Sequence, residues 1–266
     1  MKKIFNIVIC TMALLFSSCE NNAPGMKNGI GVFSVSESKQ VTFSPGNLQY
    51  HPANNKWRFA ESQLDYIGDA NENISDTYDG WLDLFGWSTS ATNFGVSTSR
   101  DEDDYYGEFV DWGINRIGGF APTTWRTLTE DEWDYLLHER NYASALKGVA
   151  QVNGVNGLIL LPDDWTYPSD LSFKSGFHRD MTLSGYGQHQ TFTIDQWSKF
   201  EREGAVFLPA AGRRTDSSVY DMQDMGYYWA STAGNWGDCI FIQSNDAYVT
   251  FNARFRAQSV RLVKDL

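Results

Sequence analysis

Cysteine, histidine and basic residues are scarce in this 266-residue chain, and each shortage removes a class of function. Of the three cysteines, Cys10 lies in the N-terminal apolar segment and Cys19 directly after it, which leaves Cys239 as the only thiol further along the chain and no disulfide framework. The four histidines form no H-E-x-x-H, and neither a G-x-S-x-G elbow nor a glycine-rich phosphate loop occurs. His178 and His189 lie in one polar stretch, but without a clustered third ligand they read as a surface loop rather than a metal site. With 21 basic against 33 acidic residues the net charge is −12, which argues against nucleic acid and anionic membrane surfaces as partners. Long apolar runs are lacking too: only Ile4 to Phe16 qualifies, short of the ~20 residues that a spanning helix requires. No cofactor and no metal is expected.

Aromatic residues, by contrast, are abundant, at 15% with 10 tryptophans, alongside 23 glycines. That composition suits an irregular α+β fold with long loops pinned by aromatic anchors. Lys2 and Lys3 ahead of the apolar run read as a signal peptide over residues 1–18. Ser17-Ser18-Cys19 resembles the lipobox of bacterial lipoproteins, with Phe16 where leucine is usual. The resemblance implies that Cys19 is lipidated and becomes the first residue, so that the chain meets the membrane through that lipid alone, at the outer membrane or cell surface. An ordinary secretory signal is the alternative. Residues 19–31 then form a tether and 32–266 one domain.

Local signals mark several elements. Thr129-Glu130-Asp131-Glu132 and Thr193-Ile194-Asp195-Gln196 are capping boxes, each opening a helix, the first with Trp133, Leu136 and Leu137 on one face and the second with Ile194, Trp197 and Phe200. Asn153-Gly154 between apolar runs predicts a hairpin, whose register a second pair, Asn156-Gly157, leaves open. Ser44-Pro45-Gly46-Asn47 predicts another, joining Val41–Phe43 to Leu48–Tyr50. The run from Asp69 to Asp76 resembles part of a calcium loop, yet Ile74 and Gly80 stand where an EF-hand needs Gly and Glu, so an Asx-rich turn is the plainer reading. Arg100 to Asp104 reads as a solvated acidic loop.

Three landmarks resemble the formylglycine-generating-enzyme branch of the C-type lectin fold: Trp125 to Trp133, Ser218 to Met222 and Ser259 to Val263. They imply a C-type-lectin-like domain, two main helices beside a twisted antiparallel sheet, with the chain ends held together. They do not imply the enzyme, because its oxidase members bind copper through a cysteine pair and Cys239 stands alone. Phe43 to Tyr50, Gly80 to Trp87 and Leu208 to Arg213 resemble Bacteroides-type surface lipoproteins, some of which are the variable proteins of diversity-generating retroelements. Those proteins present altered binding residues on a fixed scaffold. From Ala230 to Gln258 only Trp236, Gln243 and Gln258 lie outside what adenine mutagenesis of Asn codons yields, so these three would be invariant scaffold positions. The competing explanation is that exposed loops are poor in such residues anyway.

The expected function is therefore surface-displayed, non-covalent binding of a protein or carbohydrate ligand through the C-terminal region. A cell-envelope structural or adhesion subunit is the alternative, and an enzyme comes third. Read as one alternating strand, residues 247–255 send Ala247, Val249, Phe251, Ala253 and Phe255 to packing, and Tyr248, Thr250, Asn252 and Arg254 to solvent. The candidate binding residues are Ser231, Asn235, Asp238, Cys239, Asn245, Asp246, Tyr248, Asn252 and Arg254, with Tyr248, Asn252 and Arg254 foremost. Gly226–Trp229 and Ser259–Val263 would form the fixed frame around them.

Overall fold

The computed structural model describes residues 31–178 and 185–266. The leader, Cys19 and the tether up to residue 30 lie outside the described residues, as does the 179–184 part of the loop between the two histidines.

The described chain is an α+β fold, mostly sheet. Its strands are β1 (Phe33–Ser34), β2 (Gln40–Phe43), β3 (Leu48–His51), β4 (Lys56–Phe59), β5 (Lys147–Val152), β6 (Val155–Leu160) and β7 (Thr191–Phe192). They continue as β8 (Val206–Pro209), β9 (Arg213–Thr215), β10 (Ser218–Tyr220), β11 (Gly226–Ala233), β12 (Gly237–Gln243), β13 (Asp246–Asn252) and β14 (Val263–Asp265). Three α-helices are interspersed: α1 (Glu130–Asp134), α2 (Gly185–His189) and α3 (Ile194–Arg202). The sheet is not one but several pieces, in the orders β1-β2-β14, β3-β4, β7-β5-β6-β8, β9-β10 and β11-β12-β13. All pairings are antiparallel except β5 with β7.

Both capping boxes form. The Thr129 hydroxyl accepts from the Glu132 N–H at 3.2 Å while the Glu132 carboxylate accepts from the Thr129 N–H at 3.0 Å, and Thr193 and Gln196 repeat the pattern. The first helix continues as a π-helical turn over Tyr135–Glu139, and Trp133, Leu136 and Leu137 are fully buried as their spacing predicts. On α3, Trp197 and Phe200 are buried but Ile194, in the first turn, is exposed. Asn153 and Gly154 both take positive φ between β5 and β6, and Val152 pairs with Val155, which settles the register.

The hairpin expected around Ser44–Asn47 does not form. The Ser44 N–H donates to the Leu262 carbonyl at 2.8 Å and the Leu48 N–H to Val260 at 2.9 Å, so the two arms of this turn bond to the C-terminal segment instead of to each other. Accordingly β2 lies between β1 and β14, and β3 pairs with β4. The chain ends of the fold are thereby held side by side. The Asp69–Asp76 run winds into a 3₁₀ turn around buried Asn71, which exchanges hydrogen bonds with the side chain and backbone of Asp83. Burial pushes the Asp83 carboxyl up to about 6.

Three apolar clusters fill the interior. One joins Trp133, Leu136 and Leu137 to Leu158, Tyr228, Ile240 and Ile242; a second, mostly aromatic, collects Trp57, Phe85, Trp87, Trp112, Trp229 and Cys239; a third sits under α3 with Trp197, Phe200 and Phe207. Ile240 and Ile242 enter the first cluster and Cys239 the second, so the centre of β12 sends buried side chains to both faces, while Asp238, Phe241 and Gln243 are half-buried. Gly226–Trp229 and Ser259–Val263 are buried throughout and hydrogen-bonded to each other, Ser259 N–H to Tyr227 at 3.0 Å and Trp229 N–H to Ser259 at 3.1 Å.

Candidate functional site

The three-stranded sheet β11-β12-β13 carries most of the residues singled out by sequence, and β13 is its free edge. Side chains on successive positions of β13 point to opposite faces. Ala247 and Val249 lean into the first apolar cluster, as alternation predicts. On the other face Tyr227, Phe241 and Tyr248 stand directly across from one another and their rings touch in sequence, with centroids 5.2 and 5.5 Å apart. Tyr248 ends this row at 38% exposure.

Beyond Val249 the expected pattern breaks down, although Ala253 is buried as assigned. Phe251, assigned to packing, is 61% exposed, whereas Asn252 and Arg254, assigned to the free face, are each only 6% exposed. Two physical causes account for this. The strand ends at Asn252, so alternation does not extend to Arg254, which sits in a turn. The chain around Trp87 and Tyr105 also closes over that end: the Trp87 N–H donates to the Arg254 carbonyl at 2.7 Å, and the Arg254 guanidinium donates to the carbonyls of Tyr105 and Gly234 at 3.2 and 2.9 Å. Its cation lies 5.0 Å from the Tyr106 ring and 5.7 Å from that of Trp87. The Asn252 side-chain Oδ1 accepts from the Ala253 N–H and the Arg256 guanidinium, both at 3.0 Å. Both residues are therefore structural ties rather than presented ligand contacts.

Cys239 is also withdrawn. It is fully buried between strands, and burial pushes its thiol up to about 12. The native protein is expected to resist a water-soluble disulfide reagent at pH 8 and to react at once when unfolded; rapid native labelling would place the thiol at the surface instead. Because the folded value lies above the ordinary 9.0, the thiol's contribution to stability is complete below pH 9 and is lost as the pH rises towards 12.

The remaining candidates fall into two groups. At one end of β12, Ser231 is half-buried, Asn235 exposed and Asp238 half-buried; at the other, Asn245 is half-buried and Asp246 exposed, with its carboxylate accepting from the Ala247 N–H at 2.8 Å. The seven residues of β12 separate the groups by about 20 Å. They cannot line one small pocket.

The Ser231 end gains residues that sequence reasoning missed. Trp236, set down as scaffold, is 49% exposed and meets Phe251 edge to face at a centroid distance of 5.3 Å. Phe251 is the cross-strand partner of Asp238. The β11 register shifts between Trp229 and Ala233, and there the strand turns to α1: the Ser231 N–H donates to Leu128 at 2.8 Å, and the Thr232 hydroxyl accepts from the Glu130 N–H at 2.9 Å. This seats Glu130 beside Asp238. Burial, then the charges of Asp238, Asp131 and Asp134, hold the Glu130 carboxyl above the usual range, and burial does the same for Asp238. A lone tryptophan in Gly234-Asn235-Trp236-Gly237, among turn residues and off any apolar alternation, was the available signal.

Chemically this end offers ring faces, carboxylates, an amide and the hydroxyls of Ser231 and Thr232. A cavity of about 320 Å³ elsewhere, near α2 and α3, has one carboxylate in its lining, Asp170, held by Lys199. Among the described residues no three His, Cys, Asp or Glu side chains gather as a metal site. Set beside family models, curated proteins and solved structures, the chain matches none.

Proposed function

We propose that this chain binds a ligand non-covalently through the connector and strand end that carry Ser231, Asn235, Trp236, Asp238 and Phe251, on a C-type-lectin-like scaffold tethered by lipid at Cys19 to the outer membrane or cell surface. The observation that carries the reading is the solvent-facing Trp236–Phe251 pair on a sheet whose central strand is anchored in two apolar clusters. Two large side chains left open to water at the free edge of a rigid element are the pattern of a recognition surface, where aromatic area is gained with few rotatable bonds to fix.

Diversification, if it operates, is restricted by packing. Cys239, Ile240, Ile242, Ala247, Ala257 and Gln258 are buried at 1% exposure or less and do not tolerate arbitrary exchange. The positions free to vary are the exposed ones, Ala233 to Asn235 and Phe251 around a fixed Trp236, and Asp246 and Tyr248 towards the other end of the sheet. Recognition is favoured over assembly because the other exposed large apolar residues, such as Tyr142, Tyr167 and Phe120, come from separate loops.

Residues 19–266 displayed against arrays of oligosaccharides and of purified surface proteins test this. For any ligand found, Trp236→Ala and Phe251→Ala are each expected to weaken binding about tenfold. Asn245→Ala and Asp246→Ala, at the far end, should change it less than about twofold. Binding indifferent to Trp236 and Phe251 removes this face from the function.

A further inference from the structure

We infer that the occupant of this face is a basic segment of a protein partner, one whose lysine or arginine side chain lies on Trp236 and Phe251 with its charge against Asp238 and Glu130. The inference rests on the binding reading above and narrows its ligand class.

Three observations converge on a cation. First, the two rings meet edge to face at 78° and both remain open to water, which leaves electron-rich ring area available at the surface. Second, Asp238, the cross-strand partner of Phe251, and Glu130 beside it form no ion pair among the described residues, although the Thr232 hydroxyl hydrogen-bonds to Asp238. The field of Arg254 reaches Asp238, but its guanidinium is committed to the Gly234 and Tyr105 carbonyls. Third, the arrangement is fixed in advance. Thr232 ties the start of α1 to the connector, and Phe251 stands opposite Asp238 across the strand pair, so rings and carboxylates are positioned together before any ligand arrives. An incoming ammonium or guanidinium relieves the repulsion between Glu130 and Asp238, whereas a carboxylate or phosphate adds to it. A neutral sugar could use the rings but would leave the carboxylates as they are.

The test uses residues 19–266 and a lysine tetrapeptide as probe, with a glutamate tetrapeptide and a neutral oligosaccharide for comparison, followed by calorimetry or NMR at low and moderate salt. The lysine peptide is expected to bind and the glutamate peptide not, with about tenfold loss in Trp236→Ala and in the double variant Glu130→Gln/Asp238→Asn. The double variant should also flatten the salt dependence. Asp195→Asn/Asp164→Asn/Asp79→Asn, which removes more charge but lies away from this face and spares Glu130, Asp131, Asp238 and both rings, should lose less than about threefold. Equal losses in all variants, or no lysine-peptide binding at all, overturn the inference. If the oligosaccharide binds in a Trp236-dependent way while the lysine peptide does not, the cationic assignment falls and the binding face stands. A ligand indifferent to Trp236 and Phe251 takes the face away as well.

Discussion

Replacing Trp229 with alanine is expected to cost about 3–5 kcal/mol of folding stability, a large share of what a domain of this size possesses. The indole is fully buried, lies 5.4 Å from the Trp87 ring in an edge-to-face contact, and donates from Nε1 to the Phe85 carbonyl at 2.6 Å. Gly237 presses against it so closely that an added Cβ would come within 2.7 Å of the Trp229 ring, so the strand opposite has been shaped around this side chain. Truncation leaves a cavity that the two-sided burial at the centre of β12 prevents from collapsing. Trp229→Phe separates the two contributions: it keeps most of the packing and removes one of the two donors to the Phe85 carbonyl, which retains the Gln258 N–H at 2.8 Å, for about 0.5–1.5 kcal/mol. Urea unfolding followed by far-UV circular dichroism reads both, and a midpoint in Trp229→Ala close to that of the wild type would show that the aromatic cluster does not hold the β11-β12-β13 sheet in place.

Which parts of this architecture could be read from sequence follows from the range of the interactions that create them. The helix starts at Thr129 and Thr193 were legible because a capping box is closed within four residues. The Asn153-Gly154 turn was legible for the same reason. The supposed hairpin at Ser44 was not, since the partners of its two arms, Leu262 and Val260, lie more than two hundred residues away and leave no local trace. The candidate site divides in the same manner. Alternation identified Ala247 and Tyr248 correctly because β13 is regular there and one face meets the core. It failed at Phe251, Asn252 and Arg254, where cover is supplied by the distant Trp87 and Tyr105 segments. Exposure at a strand end is set by whichever loop lands on it, and that is a tertiary property.

Arg254 shows how far such a distant contact can carry into function. Arg254→Ala is expected to destabilise the fold by about 2–4 kcal/mol, although sequence alone presents it as a solvent-facing ligand contact whose loss would be harmless. The guanidinium is buried without a carboxylate partner and is held by two carbonyls and two aromatic rings, so truncation empties a pocket and leaves the Gly234 and Tyr105 oxygens without their donor. Gly234 precedes Trp236 by two residues, which makes this bond the anchor of the connector that presents the indole. Arg254→Ala should therefore weaken binding at the Trp236 face as well, by loosening the connector rather than by removing a contact. Arg254→Lys discriminates between the two roles, since one ammonium cannot span both carbonyls and lie flat against both rings. The lysine variant is expected to regain less than half of the lost stability and to leave the connector amides from Ala233 to Asn235 open to hydrogen exchange. A ligand-contact role predicts the reverse, full stability in both variants and a defect confined to binding.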